Sequence, residues 1–591
     1  MKIKYLFTGI IVILLAVITS CSEDLLDIPR KGVIPTEEFY KTDNDATDAL
    51  AATYRYLWQV MYQNDHGAYP LLKNCLSDDV YTGGLSRNDQ PLWEAVNEFT
   101  FGSENTYLLG YFRRAYNLIY RCNLIIDNFK GDNLDTPVKK SAVAQAKVWR
   151  AWMYTELITL WGTPPLVDHC LTPSEYQQPN GDPQALWNLV TTDLTDAINS
   201  GALEQKTSVN DKIATATVGY AQALLGKAYV FMTYSLNGGA LGGTQAAAAV
   251  GKAASSEYWA KAVEVLDKVI SSNMYELYDG PFVDILKITT KWHPENMFEI
   301  NRIFNASQTD MNLTGGWESY LVGWSNAEIA AFGSIVPCNR ASNFLQPRKA
   351  AYDAMLAWQG ANNDRMYGSI RTYDQLVKDM GVGVKVGVYT IYANEGVFDM
   401  KWFRDEDEDC ITNHATEKGY PFMRYAEVLL LAAEANLMAG NQTKADEYMN
   451  QVRRRAGLAD MSNIKLSDLQ QEKRCELYME GTRAYDLIRW GLAAEVLKDQ
   501  GAYVPYLTAY TGGATYGDAN DKGTLISLDS KCEGTVTVGG ETYTLGVNKD
   551  MINAGGYGFK VGKHELLPFP NQEMMLSGEV VGGPLRQNPG W

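Results

Sequence analysis

Histidine and cysteine are sparse in this sequence, and neither has the spacing of a metal centre or of a disulfide framework. The five histidines form no close pair, and there is no Cys-x-x-Cys motif. The seven cysteines after Cys21 are scattered and odd in number, so we interpret them as mostly buried free thiols. The histidines are His66, His169, His293, His414 and His564; the cysteines are Cys75, Cys122, Cys170, Cys338, Cys410, Cys475 and Cys532.

The sequence motifs of common catalytic and cofactor sites are also missing. There is no Gly-rich phosphate loop, no Gly-x-Ser-x-Gly elbow and no metalloprotease helix, so we predict no cofactor. The acidic run Asp405–Asp409 offers the oxygen ligands that calcium prefers, but it lacks the glycine-spaced pattern of a calcium loop. We favour a solvated charge run there, with a calcium site as the alternative.

Long hydrophobic runs are missing beyond the N-terminus. There, Lys2 and Lys4 precede an apolar stretch over about residues 5–18, which is too short for a stable membrane span. It ends in Ile18-Thr19-Ser20-Cys21, the pattern of a bacterial lipoprotein signal. We predict that residues 1–20 are removed and that Cys21 is lipidated. The alternative is an ordinary secretory peptide with a chance cysteine at its end.

Basic residues are in the minority. The chain has 52 Lys and Arg against 70 Asp and Glu, and loss of residues 1–20 removes two lysines. The mature chain, with 50 basic and 70 acidic residues, therefore has a net charge of −20 at neutral pH. Such a surface repels phosphate backbones and anionic membranes, which excludes nucleic acid as an expected partner and leaves membrane attachment to the lipid.

Apolar residues recur at three- and four-residue steps in several segments, which predicts a helix-rich chain. The run from Ala142 to Leu160 predicts one long helix, and Gly162 and Pro164-Pro165 end it. Three helix pairs are predicted, with another helix at about 104–129 before them. The pairs are about 142–160 with 182–199, 217–234 with 256–271, and 422–438 with 443–456.

One of these helices contains Leu225-Gly226-Lys227-Ala228-Tyr229, the Leu-Gly-x-x-Tyr fragment of a tetratricopeptide repeat. The glycine of such a repeat lets two antiparallel helices approach closely. Long insertions separate the predicted pairs, so we expect a helical frame that carries other structure rather than an extended solenoid. The alternative is that these are ordinary helical hairpins.

Two parts of the chain lack the helical period. Residues 280–420 are rich in glycine, asparagine and tryptophan, with short β-rich runs such as 382–392. Near the C-terminus, Gly539-Gly540 separates two β-favouring runs, Thr535–Val538 and Thr542–Leu545. The segment Gly534–Leu545 therefore predicts a β-hairpin with a tight turn. Loops and small sheets are expected in both parts.

Several segments resemble the SusD/RagB family of nutrient-binding lipoproteins, and they occur in family order from residue 21 to the last residue. Two mild departures are Phe569, where the family usually has isoleucine, and Trp591, where it has tyrosine. The acidic Ser22-Glu23-Asp24 also resembles the export tag of Bacteroidetes surface lipoproteins. The matching segments are Cys21 with Asp24–Pro29, Arg150–Trp152, Leu160–Leu166, Arg424–Leu430 with Ala433–Ala435, Arg474–Leu477, Glu480–Arg483, Asp486–Gly491, Leu567–Pro570 with Glu573, and Gln587–Trp591.

The resemblance implies a mainly α fold with tetratricopeptide-like helix pairs and short β-hairpins, in a single globular body over residues 21–591. Its helical frame would cover about 40–275 and 420–500, and its loop-rich, ligand-facing part about 280–420 and 500–591. The resemblance also implies an outer-membrane lipoprotein on the cell exterior, which lies as a lid over a SusC-like TonB-dependent transporter and presents oligosaccharide to it.

Two acidic clusters were weighed as catalytic groups. Glu480, Arg483, Asp486 and Arg489 are three apart on a predicted helix, and such pairing lowers a carboxylate pKa, whereas a glycosidase acid needs a raised one. We therefore interpret them as a structural ion-pair ladder and predict that the protein is not an enzyme. The adjacent Asp78-Asp79 pair has a poor geometry for gripping one glycosidic bond, so these residues are read as sugar-hydroxyl acceptors or turn residues.

Aromatic residues outside the helices are the main candidates for ligand binding, because flat rings cover the C–H face of a pyranose while polar groups bond its hydroxyls. The resemblance implies that such rings form an arc that matches a glycan's curve. Tryptophans at helical spacing are instead predicted to lie in the core: Trp149, Trp152, Trp187, Trp259 and Trp490. The ligand-binding candidates are Trp93 with Asp78, Asp79, Tyr81, Arg87 and Asn97, and Trp317, Tyr320 and Trp324 with Trp292.

Four functions follow as hypotheses. The leading one is a glycan-binding component of an outer-membrane uptake system. A peptide- or protein-binding component of a similar transporter is the second, and the acidic surface would suit a positively charged ligand. A surface glycoside hydrolase and a pure scaffold for protein partners are the others; no sequence pattern indicates the two facing carboxylates that a hydrolase needs.

Overall fold

The computed structural model of the chain is mainly α-helical. It describes residues 38–62, 68–235, 253–301, 342–372, 375, 387–402, 418–512, 524–525, 534–552, 555–577 and 584–591. The α-helices are, in chain order, α1 (Asp43–Tyr62), α2 (Ala68–Cys75), α3 (Pro91–Glu98), α4 (Thr106–Asn128), α5 (Pro137–Trp161), α6 (Pro183–Asn199), α7 (Val218–Ser235), α8 (Ala253–Ser271), α9 (Lys349–Gln359), α10 (Asp364–Ser369), α11 (Tyr425–Met438), α12 (Gln442–Arg455), α13 (Leu466–Glu476), α14 (Arg483–Arg489), α15 (Ala493–Val496) and α16 (Asn571–Leu576).

The strands are short and form four small antiparallel sheets. The largest sheet has the order β10-β11-β8-β5, with β9 beside β8, and the other three are the pairs β1-β3, β2-β7 and β4-β6. The strands are β1 (Val80–Gly83), β2 (Asn296–Ile300), β3 (Phe344–Pro347), β4 (Ile370–Thr372), β5 (Gly387–Tyr392), β6 (Val397–Asp399), β7 (Tyr420–Arg424), β8 (Tyr503–Gly512), β9 (Thr524–Leu525), β10 (Gly534–Val538) and β11 (Glu541–Met551).

The predicted helix pairs are present, and they pack in series. Helix α5 packs on α6, α7 on α8, and α11 on α12, while α6 also contacts α7 and α8 contacts α11. The second and third pairs are therefore neighbours in space, although the chain leaves the helical stack for some 150 residues between Ser271 and Tyr425. This arrangement confirms a helical frame interrupted by a long insertion.

Gly226 of α7 lies in close contact with α8. A Cβ atom on Gly226 would lie 2.4 Å from Cδ2 of Leu266, a residue of α8 that is fully buried. No side chain larger than hydrogen fits at that distance without moving Leu266. The glycine of the repeat-like fragment therefore has the role that its position in the sequence predicts.

The tryptophans predicted from helical spacing to be buried are core residues. All five are buried, with relative exposures between 0% and 6%. Trp149 packs edge-to-face against Trp152, with ring centres 6.4 Å apart, and against Phe298 of β2 at 4.6 Å. These contacts join the helical stack to the β2-β7 pair.

Two predicted helix boundaries are wrong. The segment predicted as one helix over 476–489 is broken: α13 ends at Glu476, and α14 begins at Arg483. Met479 and Gly481 between them have positive φ angles of 57° and 77°, which a right-handed helix cannot continue through. Similarly, residues 422–424 belong to β7 and α11 begins at Tyr425. The sequence-based prediction assigned no individual helix to several elements, among them α1, α2, α9 and α10.

The predicted C-terminal hairpin is confirmed. Strands β10 and β11 pair antiparallel with Val538 opposite Glu541, so that only Gly539 and Gly540 form the turn. Both glycines have positive φ angles, as a two-residue hairpin turn of this hand requires. Strand β11 continues past the hairpin and pairs with β8, and through β8 it is joined to β5.

A buried ion-pair network fixes the β2-β7 pair to the helices. Arg424 of β7 is fully buried and donates hydrogen bonds to Glu295, to Oε1 of Glu476 at 3.0 Å and to Oε1 of Glu480 at 2.6 Å. Burial opposes ionisation of Glu480, but Arg424 and Lys401 outweigh that effect and lower its pKa. Removing one member would leave a buried charge unpaired, which is strongly destabilising.

Four cysteines lie in the described residues, and they are free thiols as expected. Cys75, Cys122 and Cys475 are buried free thiols, and Cys170 is a half-buried one. No helix in the ranges given above is both long and apolar enough to cross a membrane. Cys21 and the acidic run Asp405–Asp409 lie outside the described residues.

Candidate functional site

Six of the sequence-predicted site residues lie on the short segment that runs from the end of α2 through β1 to α3. Strand β1 pairs with β3, with Tyr81 opposite Gln346. At the end of β1, Gly83 has a φ angle of +81°, and a Cβ atom there would lie 2.1 Å from the carbonyl oxygen of Asn343. Only glycine allows this close approach, which fixes the start of the loop that carries Arg87.

Tyr81, Asn97 and Arg348 form one closely packed unit beneath the surface. The guanidinium group of Arg348 lies 3.9 Å from the centre of the Tyr81 ring, and Tyr81 is only 5% exposed. Arg348 donates to the Val80 carbonyl at 3.0 Å and to Oδ1 of Asn97 at 3.2 Å. Asn97 in turn donates to the Cys75 carbonyl at 2.8 Å. This unit supports the surface above it, and its polar groups are occupied.

Arg87 lies beside two carboxyl groups of α3. It forms a two-pronged ion pair with Glu98, in which Nη2 is 2.8 Å from Oε2, and its Nη1 is 3.9 Å from Oε1 of Glu94. Burial, followed by the proximity of Glu98, raises the pKa of Glu94 to about 7. The Arg87 side chain is 35% exposed, so part of its guanidinium group faces solvent.

Two tyrosines of the large sheet contact the cluster that contains Tyr81, and one of them reaches Glu94. Tyr392 of β5 and Tyr503 of β8 are half-buried, and both pack against a small cluster formed by Tyr81, Ala393 and Val504. The Tyr392 hydroxyl lies 3.5 Å from Oε1 of Glu94. Burial, and then the nearby Glu94, raise the pKa of Tyr392, so this phenol stays protonated and can donate a hydrogen bond.

Lys549, whose side chain is 47% exposed, and the largely buried Glu395 complete the group. Lys549 donates to the Tyr503 hydroxyl at 3.1 Å, lies 4.2 Å from the centre of the Tyr503 ring, and is 3.4 Å from Oε1 of Glu395. Partial burial works against the charge of Lys549, but its bonds to Tyr503 and Glu395 outweigh burial and raise its pKa. The lysine therefore stays charged and is held over the tyrosine ring.

We call the group formed by Arg87, Tyr392, Glu395, Tyr503 and Lys549 the tyrosine surface. It combines two half-buried phenol rings with the charged donors Arg87 and Lys549, and the largely buried Glu395 holds Lys549 in place. In the part of the chain that the structure describes, no group of three His, Cys, Asp or Glu side chains is placed to hold a metal ion. The chemistry that the tyrosine surface offers is stacking and hydrogen bonding.

The comparisons with known proteins agree on one family. A sequence model of the SusD family matches residues 339–591. SusD-like protein P25 of Formosa agariphila is 24% identical over 518 residues, which cover 81% of this chain and 89% of that protein. A SusD-like protein of Bacteroides ovatus is also 24% identical, and the match covers 83% of each chain.

Solved structures share the fold over nearly the whole chain. Surface glycan-binding protein A from Bacteroides thetaiotaomicron, in complex with laminarihexaose, superposes with a TM-score of 0.68 at 21% identity, over 92% of this chain and 99% of that one. A laminarin binding SusD-like protein gives a TM-score of 0.65 at 22% identity, over 93% and 100% of the two chains. Residues 339–591 therefore match the SusD family, and the chain as a whole shares the fold of SusD-like proteins.

The SusD-family segment 474–483 explains the acidic pair Asp78-Asp79. Arg474 donates to Oδ2 of Asp78 and to Oδ1 of Asp79, each at 2.8 Å, and Arg483 donates to Oδ1 of Asp78 at 2.8 Å. Although burial acts in the opposite direction, Arg483 and Arg474 lower the pKa of Asp78, whereas burial raises that of Asp79. Both carboxylates are occupied by this ion-paired junction, so the structure does not support them as sugar-hydroxyl acceptors.

The proposed ladder of neighbouring ion pairs is only partly present. Asp486 accepts from Nε of Arg489 at 2.7 Å, three residues along α14, as predicted. Arg483, however, binds Asp78, and Glu480 binds Arg424 and Lys401. The charged residues therefore do have a structural role, but most of their partners are distant in the sequence.

Trp93 is a packing residue in this structure. Its relative exposure is 0%, and its ring lies 5.0 Å from that of Tyr107, centre to centre. It stands on α3, an eight-residue helix that begins at Pro91, and not in a loop. A fully buried ring offers no face to a sugar, so the prediction of Trp93 as a stacking platform is not supported.

The remaining candidate aromatics are spread over other parts of the chain. Trp292 is half-buried just before β2, has a φ angle of +67°, and donates its backbone N–H to Oε2 of Glu299 at 3.2 Å. The structure therefore gives Trp292 a partner on β2 and not on the tyrosine surface. Trp317, Tyr320 and Trp324 lie outside the described residues.

Of the sequence-predicted residues, Arg87 is the one on the tyrosine surface, while Tyr81 and Asn97 support that surface from below. Sequence reasoning missed Tyr392, Glu395, Tyr503 and Lys549. The β-rich run at 382–392 gave a signal for Tyr392, and the predicted hairpin gave one for the strand that carries Lys549. Nothing local in the sequence indicated that these segments meet Arg87.

Proposed function

We propose that this SusD-like protein captures oligo- or polysaccharide outside the cell and delivers it to a SusC-like TonB-dependent transporter, without cleaving it. In this proposal a lipid on Cys21 anchors the chain in the outer membrane. The observation that carries the proposal is the tyrosine surface. Two similar structures are named for laminarin or laminarihexaose binding, which supports a glycan ligand for this chain as well.

The tyrosine surface suits a pyranose for a physical reason. A sugar ring has a face of C–H groups, which a phenol ring covers, and a rim of hydroxyls that both donate and accept hydrogen bonds. Arg87 and Lys549 supply donors, and the phenol oxygens of Tyr392 and Tyr503 can accept as well as donate. Because Glu98, Tyr503 and Glu395 already hold these side chains in place, little side-chain entropy is lost on binding.

The proposal keeps the division of the chain into a helical frame and a loop-rich ligand-facing part. Tyr392, Tyr503 and Lys549 would come from the loop-rich part, and Arg87 from the frame. We propose three further stacking platforms, because flat aromatic rings close together in the sequence can cover the C–H faces of successive sugar units. These are Trp317, Tyr320 and Trp324. Trp292 is kept as a candidate on the same sequence argument.

Native affinity electrophoresis of the protein produced without residues 1–21 would test the proposal against plant, host and microbial polysaccharides. We expect one class of polysaccharide to retard the wild type. Lys549→Ala should reduce that retardation, whereas the control Lys498→Ala should not, because Lys498 is an exposed lysine whose ion-pair partner is Glu495 and not a residue of the tyrosine surface. Trp317→Ala in the same gel tests the second aromatic group. If no polysaccharide retards the wild type, the glycan proposal is wrong.

A surface glycoside hydrolase is the alternative that Glu94 keeps open. Its pKa of about 7 is suitable for a general acid, and Glu98 lies one helical turn away. Against this role, Glu94 is only 8% exposed and Glu98 is bound on both oxygens by Arg87. Release of reducing ends from the retarding polysaccharide would establish the hydrolase.

A peptide or protein ligand is the second alternative, and the acidic balance of the chain favours it. With a net charge of −18 over the full sequence, basic peptides would be attracted over long range. The same gel with basic peptides in place of polysaccharide separates the two ligand classes. Retention by peptides alone would make the protein a peptide-binding uptake component.

A further inference from the structure

A second open groove lies between α4, the loop that joins α5 to α6, and α16. Its volume is about 340 Å³, within the range typical of small-ligand sites. Phe112, Pro165 and Val167 line its base, and Tyr176 lies at its rim. No residue of the tyrosine surface lines this groove, so it is a separate site.

Tyr176 is held in an exposed position by a firmly bonded loop. Its relative exposure is 65%, yet the chain on either side of it is fixed. On one side the backbone N–H of Thr172 donates to Oε2 of Glu175 at 2.8 Å; on the other, Nδ2 of Asn180 donates to Oγ1 of Thr163 at 3.0 Å. An aromatic ring that is exposed on a rigid loop is preorganised to bind a flat ligand face.

Polar groups face the same groove. Nε of Arg113 lies 2.6 Å from Oε1 of Glu573 across it, and the Arg113 side chain is 45% exposed. Gln178 donates through Nε2 to the Glu175 carbonyl at 2.8 Å, which orients its amide. The groove therefore combines the exposed Tyr176 ring with a guanidinium, a carboxylate and an amide. Because Arg113 and Glu573 are paired, these two groups together carry no net charge.

We propose that this groove is a second saccharide-binding subsite, which takes one or two uncharged sugar units of the polysaccharide bound at the tyrosine surface. The inference rests on the proposed function. An apolar base and an aromatic rim suit the C–H face of a sugar, and Arg113, Glu573 and Gln178 suit its hydroxyls. Two subsites on one chain raise the affinity for a polymer above that for a short oligosaccharide.

The test uses the polysaccharide that retards the wild type, together with a short oligosaccharide of the same linkage. Isothermal titration calorimetry with the oligosaccharide should give two sites per wild-type chain and one site for Tyr176→Ala. Affinity for the polysaccharide should fall roughly 2- to 10-fold in Tyr176→Ala. The control is Tyr120→Ala, which removes a tyrosine of similar exposure (51%) that does not line the groove. Thermal unfolding of each variant verifies that the fold is intact.

The possible results separate the two proposals. If the wild type binds glycan but has one site, or if Tyr176→Ala binds polysaccharide as tightly as the wild type, the groove proposal is overturned and the proposed function stands. If the wild type binds no glycan, both fall. If Tyr176→Ala loses only the binding of basic peptides, the groove takes peptide and the saccharide assignment is wrong.

Discussion

Glu94 shows how a single residue of the site responds to its surroundings. It is 8% exposed on α3, and burial together with Glu98 raises its pKa to about 7. The folded protein therefore holds a proton on Glu94 between pH 4.5 and 7, where the unfolded chain releases it. Stability from this group is fully present below pH 4.5 and is lost as the pH rises through 7.

Replacing Glu94 by glutamine should remove this pH dependence. Glutamine has nearly the shape of the protonated carboxyl group and carries no charge at any pH. We expect the free energy of unfolding of Glu94→Gln, relative to the wild type, to rise by about 1–3 kcal/mol between pH 5 and pH 8. Urea unfolding at the two pH values measures it. The control is Glu495→Gln, which changes a side chain that is 81% exposed. If the stability difference between Glu94→Gln and the wild type is the same at both pH values, Glu94 is ionised throughout this range and the prediction is wrong.

Individual residue roles could be predicted where the local pattern decides burial. The helical spacing of Trp149, Trp152 and Trp187 places them in the core, and they are there. Trp93 was misread because α3 is only eight residues long, which is too short to give a clear period. Its signals were Pro91 in the first turn and Val96 three residues after the tryptophan.

Among the elements, the contact between α7 and α8 depends on Gly226. We expect Gly226→Ala to destabilise the protein by about 1–3 kcal/mol through overpacking, even though alanine favours helix by about 1 kcal/mol. The cause is the 2.4 Å distance between the new Cβ and Cδ2 of Leu266. Chemical denaturation of the single variant measures the loss.

A double variant tests the cause of that loss. Leu266→Ala alone creates a cavity and should also destabilise the protein. In Gly226→Ala/Leu266→Ala the new methyl group occupies part of that space, so the double variant should be more stable than the sum of the two single effects predicts. Strict additivity would show that Gly226 does not act through Leu266.

Element boundaries were predictable where the stop signals are local. Gly162 and the prolines after it end α5 at Trp161, as expected. The break between α13 and α14 was not predictable, because Glu480 and Arg483 are spaced like helical ion-pair partners. Their actual partners, Arg424 and Asp78, lie 56 and 405 residues away in the sequence, and these contacts determine the local backbone.

Across the whole molecule, the tyrosine surface is assembled from residues that span positions 87 to 549. Strand β8 pairs with both β5 and β11, and Lys549 of β11 reaches the Tyr503 hydroxyl of β8. Tyr392 of β5 reaches Glu94, which also lies beside Arg87. A single sequence contains no signal for such long-range pairings. The mainly α fold, in contrast, followed from helical periods and from family segments spread along the chain.

Calorimetric titration with an oligosaccharide of the retarding polysaccharide, for the wild type and for Tyr503→Ala, tests the central claim most directly. A reducing-end assay is run on the same samples. Binding to the wild type, weakened roughly 2- to 10-fold or more in Tyr503→Ala, with no new reducing ends, is the predicted result. Equal affinity in both proteins would contradict the site, and new reducing ends would contradict capture without cleavage.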